Sequence, residues 1–173
     1  MDAKDKKIAT DLAYEIIREV SIAIRPYAGT PEAGEKVKMG ADGTPTSYID
    51  IIAEDKVINI LKNAPVLSYI ISEEVGELKL GKGTKRSINL SEELKRDDLT
   101  EEETPKFIFL VDPIDGTSNA IKEIPAYGIS IGVANVPEGR LATLNDVELG
   151  FISNFGNGNL KKKKKGKGCW LNN

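Results

Sequence analysis

The segment Asp112-Pro113-Ile114-Asp115-Gly116-Thr117 places two carboxylates three residues apart around a proline that fixes the local backbone. Carboxylates so spaced can converge on neighbouring cations, and hard oxygen ligands favour magnesium, with manganese as the other candidate. Gly116 lets the backbone approach a ligand closely. The amides of Gly116 and Thr117 fall at the start of a short helix, a place suited to holding phosphate. The same residues also read as an aspartate-rich turn followed by a helix cap. Ser72-Glu73-Glu74 supplies further carboxylate at the end of a short apolar run. If the two apolar runs are adjacent strands ending at one level, Glu73 stands against Asp112 and Asp115. The chain contains no histidine, which removes imidazole as base, nucleophile or zinc ligand. Carboxylates gathered without imidazole need cations to relieve their repulsion.

Two helices and several strands must position these groups. Ile8, Leu12, Ile16, Val20 and Ile24 recur every fourth residue, which predicts a buried helix face ended by Pro26. Residues 29–43, rich in Gly, Pro and charge, read as a mobile loop leading to a second helix near Thr46. That helix packs through Ile49, Ile52, Ala53, Val57, Ile60 and Leu61. Within it, Asp50 also reads as a first-turn charge that complements the helix dipole.

Val66 to Ile71 and Phe107 to Val111 are β-branched and apolar, as interior strands are. Residues 76–105 read as a solvated excursion with at most one short amphipathic helix around Leu90 to Leu99. Further strands are expected over 128–136 and 147–153, separated by a turn at Pro137-Glu138-Gly139, with a hairpin signal at Asn157-Gly158. This order predicts an α+β fold, a largely antiparallel sheet covered by two long helices.

A chain of 173 residues suits one domain, and its net charge of −3 creates no field to gather nucleic acid or anionic membrane. The single cysteine, Cys169, excludes a disulfide framework or a multi-cysteine metal site. No signal-like or membrane-spanning apolar run occurs, so a cytoplasmic protein is expected. Lys161 to Lys165 repel one another and suit an exposed edge strand or loop. Without interleaved aromatic residues they make a poor nucleic-acid surface.

Taken together, Ile71-Ser72-Glu73-Glu74 and Val111-Asp112-Pro113-Ile114-Asp115-Gly116-Thr117-Ser118-Asn119 resemble the signature of the lithium-sensitive, magnesium-dependent phosphatases. This is the superfamily of inositol monophosphatases and fructose-1,6-bisphosphatases, and the likeness is to its archaeal dual-specificity members. Thr46 to Asp50 with Glu54, and Gly166-Lys167-Gly168-Cys169-Trp170-Leu171-Asn172, extend the similarity over nearly the whole chain. The resemblance implies Glu73, Asp112, Asp115 and the carbonyl of Ile114 as metal ligands. It implies that Thr117, with Glu73 or through Asp50, orients and deprotonates the attacking water. Asp115 and the amides of Gly116 and Thr117 would then hold the phosphate. Glu54 and Asp42 are read as solvated or structural.

The implied activity is hydrolysis of inositol-1-phosphate or fructose-1,6-bisphosphate, with removal of phosphate from NADP as the alternative. The resembled phosphatases continue into a second domain with a Trp-Asp-x-Ala-Ala type motif, and this sequence has no such segment. The expectation is therefore a single domain over 1–173 equivalent to their first half. The alternatives to turnover by this chain alone are a truncated, non-catalytic metal-binding fragment, or a unit working as a homodimer or with a complementary second-domain chain. Its partner is a small-molecule phosphate ester, with no nucleic acid and no membrane.

Overall fold

The first apolar stripe folds as α1 (Ala3–Ile24), which Asp2 caps by accepting a hydrogen bond from the Asp5 amide at 2.7 Å. Ala9, Leu12, Ala13, Ile16, Val20 and Ile24 form its buried face. The structure, a computed structural model, describes residues 1–41 and 43–171. Asp42, read as solvated or structural, and Asn172, the end of the glycine-rich motif, lie outside the described residues. The second helix, α2 (Tyr48–Asn63), begins two residues beyond Thr46 and buries Ile49, Ala53, Val57, Ile58 and Leu61.

Both helices cover one face of an eight-stranded sheet. Its strands are β3 (Ser68–Ser72), β4 (Gly76–Gly81), β5 (Thr84–Ser87), β6 (Phe107–Asp115), β7 (Gly128–Asn135), β8 (Val147–Asn154), β9 (Leu160–Lys164) and β10 (Gly168–Leu171). They lie in the order β10-β9-β8-β7-β6-β3-β4-β5, and every pairing is antiparallel except β3 with β6. The expected α+β fold with a largely antiparallel sheet is therefore the one observed.

Alternation along the strands builds the core. Phe107, Phe109 and Val111 face the helices with Ile129, Ile131 and Val133, while Tyr69, Ile108 and Ala134 face the other way. On that second face, Leu90 and Leu94 close a smaller cluster from a four-residue helix, α3 (Leu90–Glu93).

Three expectations are corrected. The loop over 29–43 contains a 3-10 turn at Glu32–Gly34 and β1 (Lys36–Met39), which pairs with β2 (Pro45–Ser47). The solvated excursion over 76–105 contains the β4–β5 hairpin, and Leu78 and Leu80 reach the main core. Lys82 and Gly83 turn this hairpin with positive φ of 50° and 81°, a primed turn hidden among charged residues. The lysine run is neither a loop nor an edge, because β9 pairs with β8 on one side and β10 on the other. One ammonium of the run finds aromatic cover: Lys162 Nζ lies 5.0 Å from the Tyr14 ring centroid and 5.4 Å from that of Phe151.

Candidate active site

The parallel pair β3 and β6 is in register from Ser68 opposite Phe107 to Ser72 opposite Val111. Glu73 and Asp112 therefore follow the last paired residues of neighbouring strands at the same edge of the sheet. Beyond Asp112 the pairing of β6 with β7 becomes irregular, resuming at Asp115 opposite Gly128. Pro113 has no amide to donate to a ladder there. Gly116 then adopts φ +86°, and a Cβ added to it would lie 2.8 Å from the Ala126 carbonyl oxygen. Only glycine makes this turn without strain, and it leads into α4 (Thr117–Ile121).

Helix α2 meets this turn from the side. Asp50, in its first turn, accepts from the Ser47 amide through Oδ2 at 3.1 Å and from the Thr117 hydroxyl through Oδ1 at 2.8 Å. Thr117 Oγ1 also lies 3.1 Å from the Ile114 carbonyl, and its single hydrogen serves one acceptor at a time. Asp50 is 8 % exposed. Burial raises its carboxyl above the usual range despite the hydrogen bonds from Thr117 and Ser47.

These groups surround a cleft of about 180 Å³ that gathers Asp50, Glu73, Asp112, Ile114 and Thr117. Asp115 is exposed and Gly116 is part-buried, and neither belongs to the cleft lining. The Asp112 carboxyl is pushed up first by burial, then by Asp115, with Asp50 and Glu74 adding to the negative field. That field, with carboxylate and carbonyl oxygens as donors, fits a hard divalent cation. Among the described residues, no three acidic side chains are drawn together tightly enough to clasp an ion. The donors are apposed rather than converged.

The cleft also holds residues that the sequence reading did not select. Lys36, from the segment read as a mobile loop, donates through Nζ to Ser47 Oγ at 2.8 Å and to the Pro45 carbonyl at 3.1 Å. Glu74, grouped with Glu73 in the sequence as further carboxylate, lines the same wall and accepts from the Thr46 hydroxyl. No periodicity marks Lys36, since β1 is exposed throughout. Glu54, read as solvated or structural, is fully enclosed beside the site.

Residues 5–173 match the model of the inositol monophosphatase family. The chain is 42 % identical over 173 residues to a fructose-1,6-bisphosphatase/inositol-1-monophosphatase of Methanothermobacter thermautotrophicus, covering 99 % of this chain and 55 % of that protein. It is 36 % identical over 180 residues to a bifunctional NADP phosphatase/NAD kinase of Methanocaldococcus jannaschii, covering 92 % of this chain and 28 % of that one. A crystal structure of an inositol monophosphatase-fructose 1,6-bisphosphatase superposes with a TM-score of 0.68 at 24 % identity, covering 94 % of this chain and 52 % of that one. A suhB extragenic suppressor protein from Bartonella henselae gives 0.65 at 21 %, with coverages of 95 % and 52 %. These two share the fold. The chain spans about half or less of the length of the relatives it matches.

Proposed function

The chain belongs to the inositol monophosphatase family, and from that premise we propose that it hydrolyses a small-molecule phosphate monoester with a bound magnesium or manganese ion. The observation that carries this reading is the Thr117–Asp50 hydrogen bond standing beside Asp112 and Glu73 in one acidic cleft. Glu73, Asp112, Asp115 and the Ile114 carbonyl are the groups that would hold the cation. The cation, when bound, makes water more acidic and neutralises charge on the leaving oxygen.

The chain's own residues do the rest. With its hydrogen given to Asp50, the Thr117 oxygen accepts a proton from a water in the cleft as its own proton passes to Asp50. The raised proton affinity of Asp50 suits that role. The water oxygen bonds to phosphorus, the ester P–O bond breaks, and its electron pair leaves with the alcohol oxygen. The amides of Gly116 and Thr117 are the groups that would donate to the phosphate, and Asp115, exposed outside the cleft lining, would reach it only through the cation it helps to hold. Inositol-1-phosphate or fructose-1,6-bisphosphate is the leading substrate, in line with the Methanothermobacter relative, and NADP is the alternative, in line with the Methanocaldococcus one. A cytoplasmic location suits each of them, and among the described residues no helix is long and apolar enough to cross a membrane.

A specific observation favours a second reading, in which turnover needs a partner. The sheet face opposite the helices carries a groove of about 630 Å³ between Ile71, Leu110 and Ile152 that runs up to Glu73 and Asp112. About half of the Methanothermobacter relative lies outside the matched span. A complementary second domain, or a second copy of the chain, seated on this face would wall the cleft from the other side. Phosphate release from inositol-1-phosphate, fructose-1,6-bisphosphate and NADP with magnesium tests both readings. Release from one of them names the substrate of the chain alone. Release from none, with magnesium still bound, rejects independent turnover in favour of the partner-dependent reading.

A further inference from the structure

Glu54 lies one helical turn beyond Asp50 on α2 and is 2 % exposed. Its Oε2 accepts a hydrogen bond from Ser72 Oγ at 2.9 Å, while Oε1 has no hydrogen-bond partner. Among the described residues it forms no ion pair. Burial pushes its carboxyl up to about 7, against the hydrogen bond from Ser72 and with the charge of Glu74 adding to the shift. Of its helix neighbours on the buried face, Ala53, Val57 and Ile58 are apolar, and Asp50, one turn back, is the other carboxylate. A half-satisfied carboxyl among them is a poor way to fill the core.

What the carboxyl supplies instead is direction. Ser72 is the last residue of β3, immediately before Glu73, and α2 also carries Asp50. An apolar contact between α2 and the strand end would tolerate sliding, whereas a hydrogen bond to Ser72 fixes one position. We infer that Glu54 is a positioning residue: through Ser72 it fixes the end of β3 against α2, and so sets Glu73 relative to the Asp50–Thr117 pair. This rests on the metal-dependent reading of the cleft.

The test is magnesium affinity, measured by calorimetry on the full chain, with circular dichroism to verify the fold of each variant. Ser72→Ala and Glu54→Leu each weaken binding roughly tenfold, as loss of a partner behind a metal ligand does. The double variant is no weaker than either single one, because both remove the same link. Glu54→Gln keeps an acceptor for Ser72 and stays within about twofold of the parent, a rescue that space-filling alone would not need. If Glu54→Leu fails to fold, Ser72→Ala decides. Parental affinity in Ser72→Ala, alongside loss of binding in Asp112→Asn, overturns the inference and leaves the metal site standing. Parental affinity in Asp112→Asn as well overturns both.

Discussion

Thr117 and Asp50 stand 67 positions apart in sequence, yet a 2.8 Å hydrogen bond joins them at the wall of the acidic cleft. If this pair moves the proton, Thr117→Ala retains magnesium affinity and slows phosphate release by about a hundredfold or more. Calorimetry and a release assay on the same preparation check both halves, and an unaltered rate removes Thr117 from the reaction. Glu54 makes a different prediction. Its carboxyl is raised from an ordinary 4.5 to about 7, so the folded chain keeps a proton that the unfolded chain has already released between those values. Stability is then full below 4.5 and falls as pH rises through 7, by about 3 kcal/mol. Glu54→Gln removes that slope, so urea unfolding shows it gaining on the parent between about pH 5 and pH 8; parallel curves contradict the assignment. Asp112 and Asp115 stood out in the sequence as a pair because their spacing is local, although of the two only Asp112 lines the cleft. The burial of Glu54 was not, because a carboxylate on a helix looks the same whether its face meets water or core.

At the scale of elements, the two long helices and the strands β3, β6, β7 and β8 were legible through apolar periodicity, since packing imposes a repeat of about 3.6 on helices and 2 on strands. The β4–β5 hairpin was not. Lysine, glutamate and glycine dominate its composition, and only Leu78 and Leu80, two residues apart, reach the core. Leu80→Ala tests whether the hairpin belongs to the core: a loss of about 2–5 kcal/mol in urea unfolding is expected for a buried leucine. A change within about 0.5 kcal/mol would instead mark a solvated excursion. Strand β9 misled for a related reason. Charge predicts an ammonium group in open water, but an ammonium can instead lie over aromatic rings from within a paired strand, as that of Lys162 does against Tyr14 and Phe151.

Across the whole molecule, the site depends on a pairing that no local signal announces. β3 lies beside β6, parallel and in register, although β4 and β5 intervene in sequence, and this brings Glu73 level with Asp112. The family resemblance carried that neighbourhood, while apolar runs alone left strand order open. The uncovered face of the sheet bears Ile152, 59 % exposed, at the groove beside the cleft. Ile152→Lys is expected to reduce self-association of the isolated chain in sedimentation velocity, and unchanged association would place the sticky surface elsewhere. The proposed site is a cation-dependent phosphatase centre at the ends of β3 and β6. Its most direct test compares phosphate release by the parent chain and by Asp112→Asn, each with magnesium and with a chelator. The proposed site requires release by the parent with magnesium alone and none by Asp112→Asn. Release that survives the chelator, or that Asp112→Asn retains in full, would contradict it.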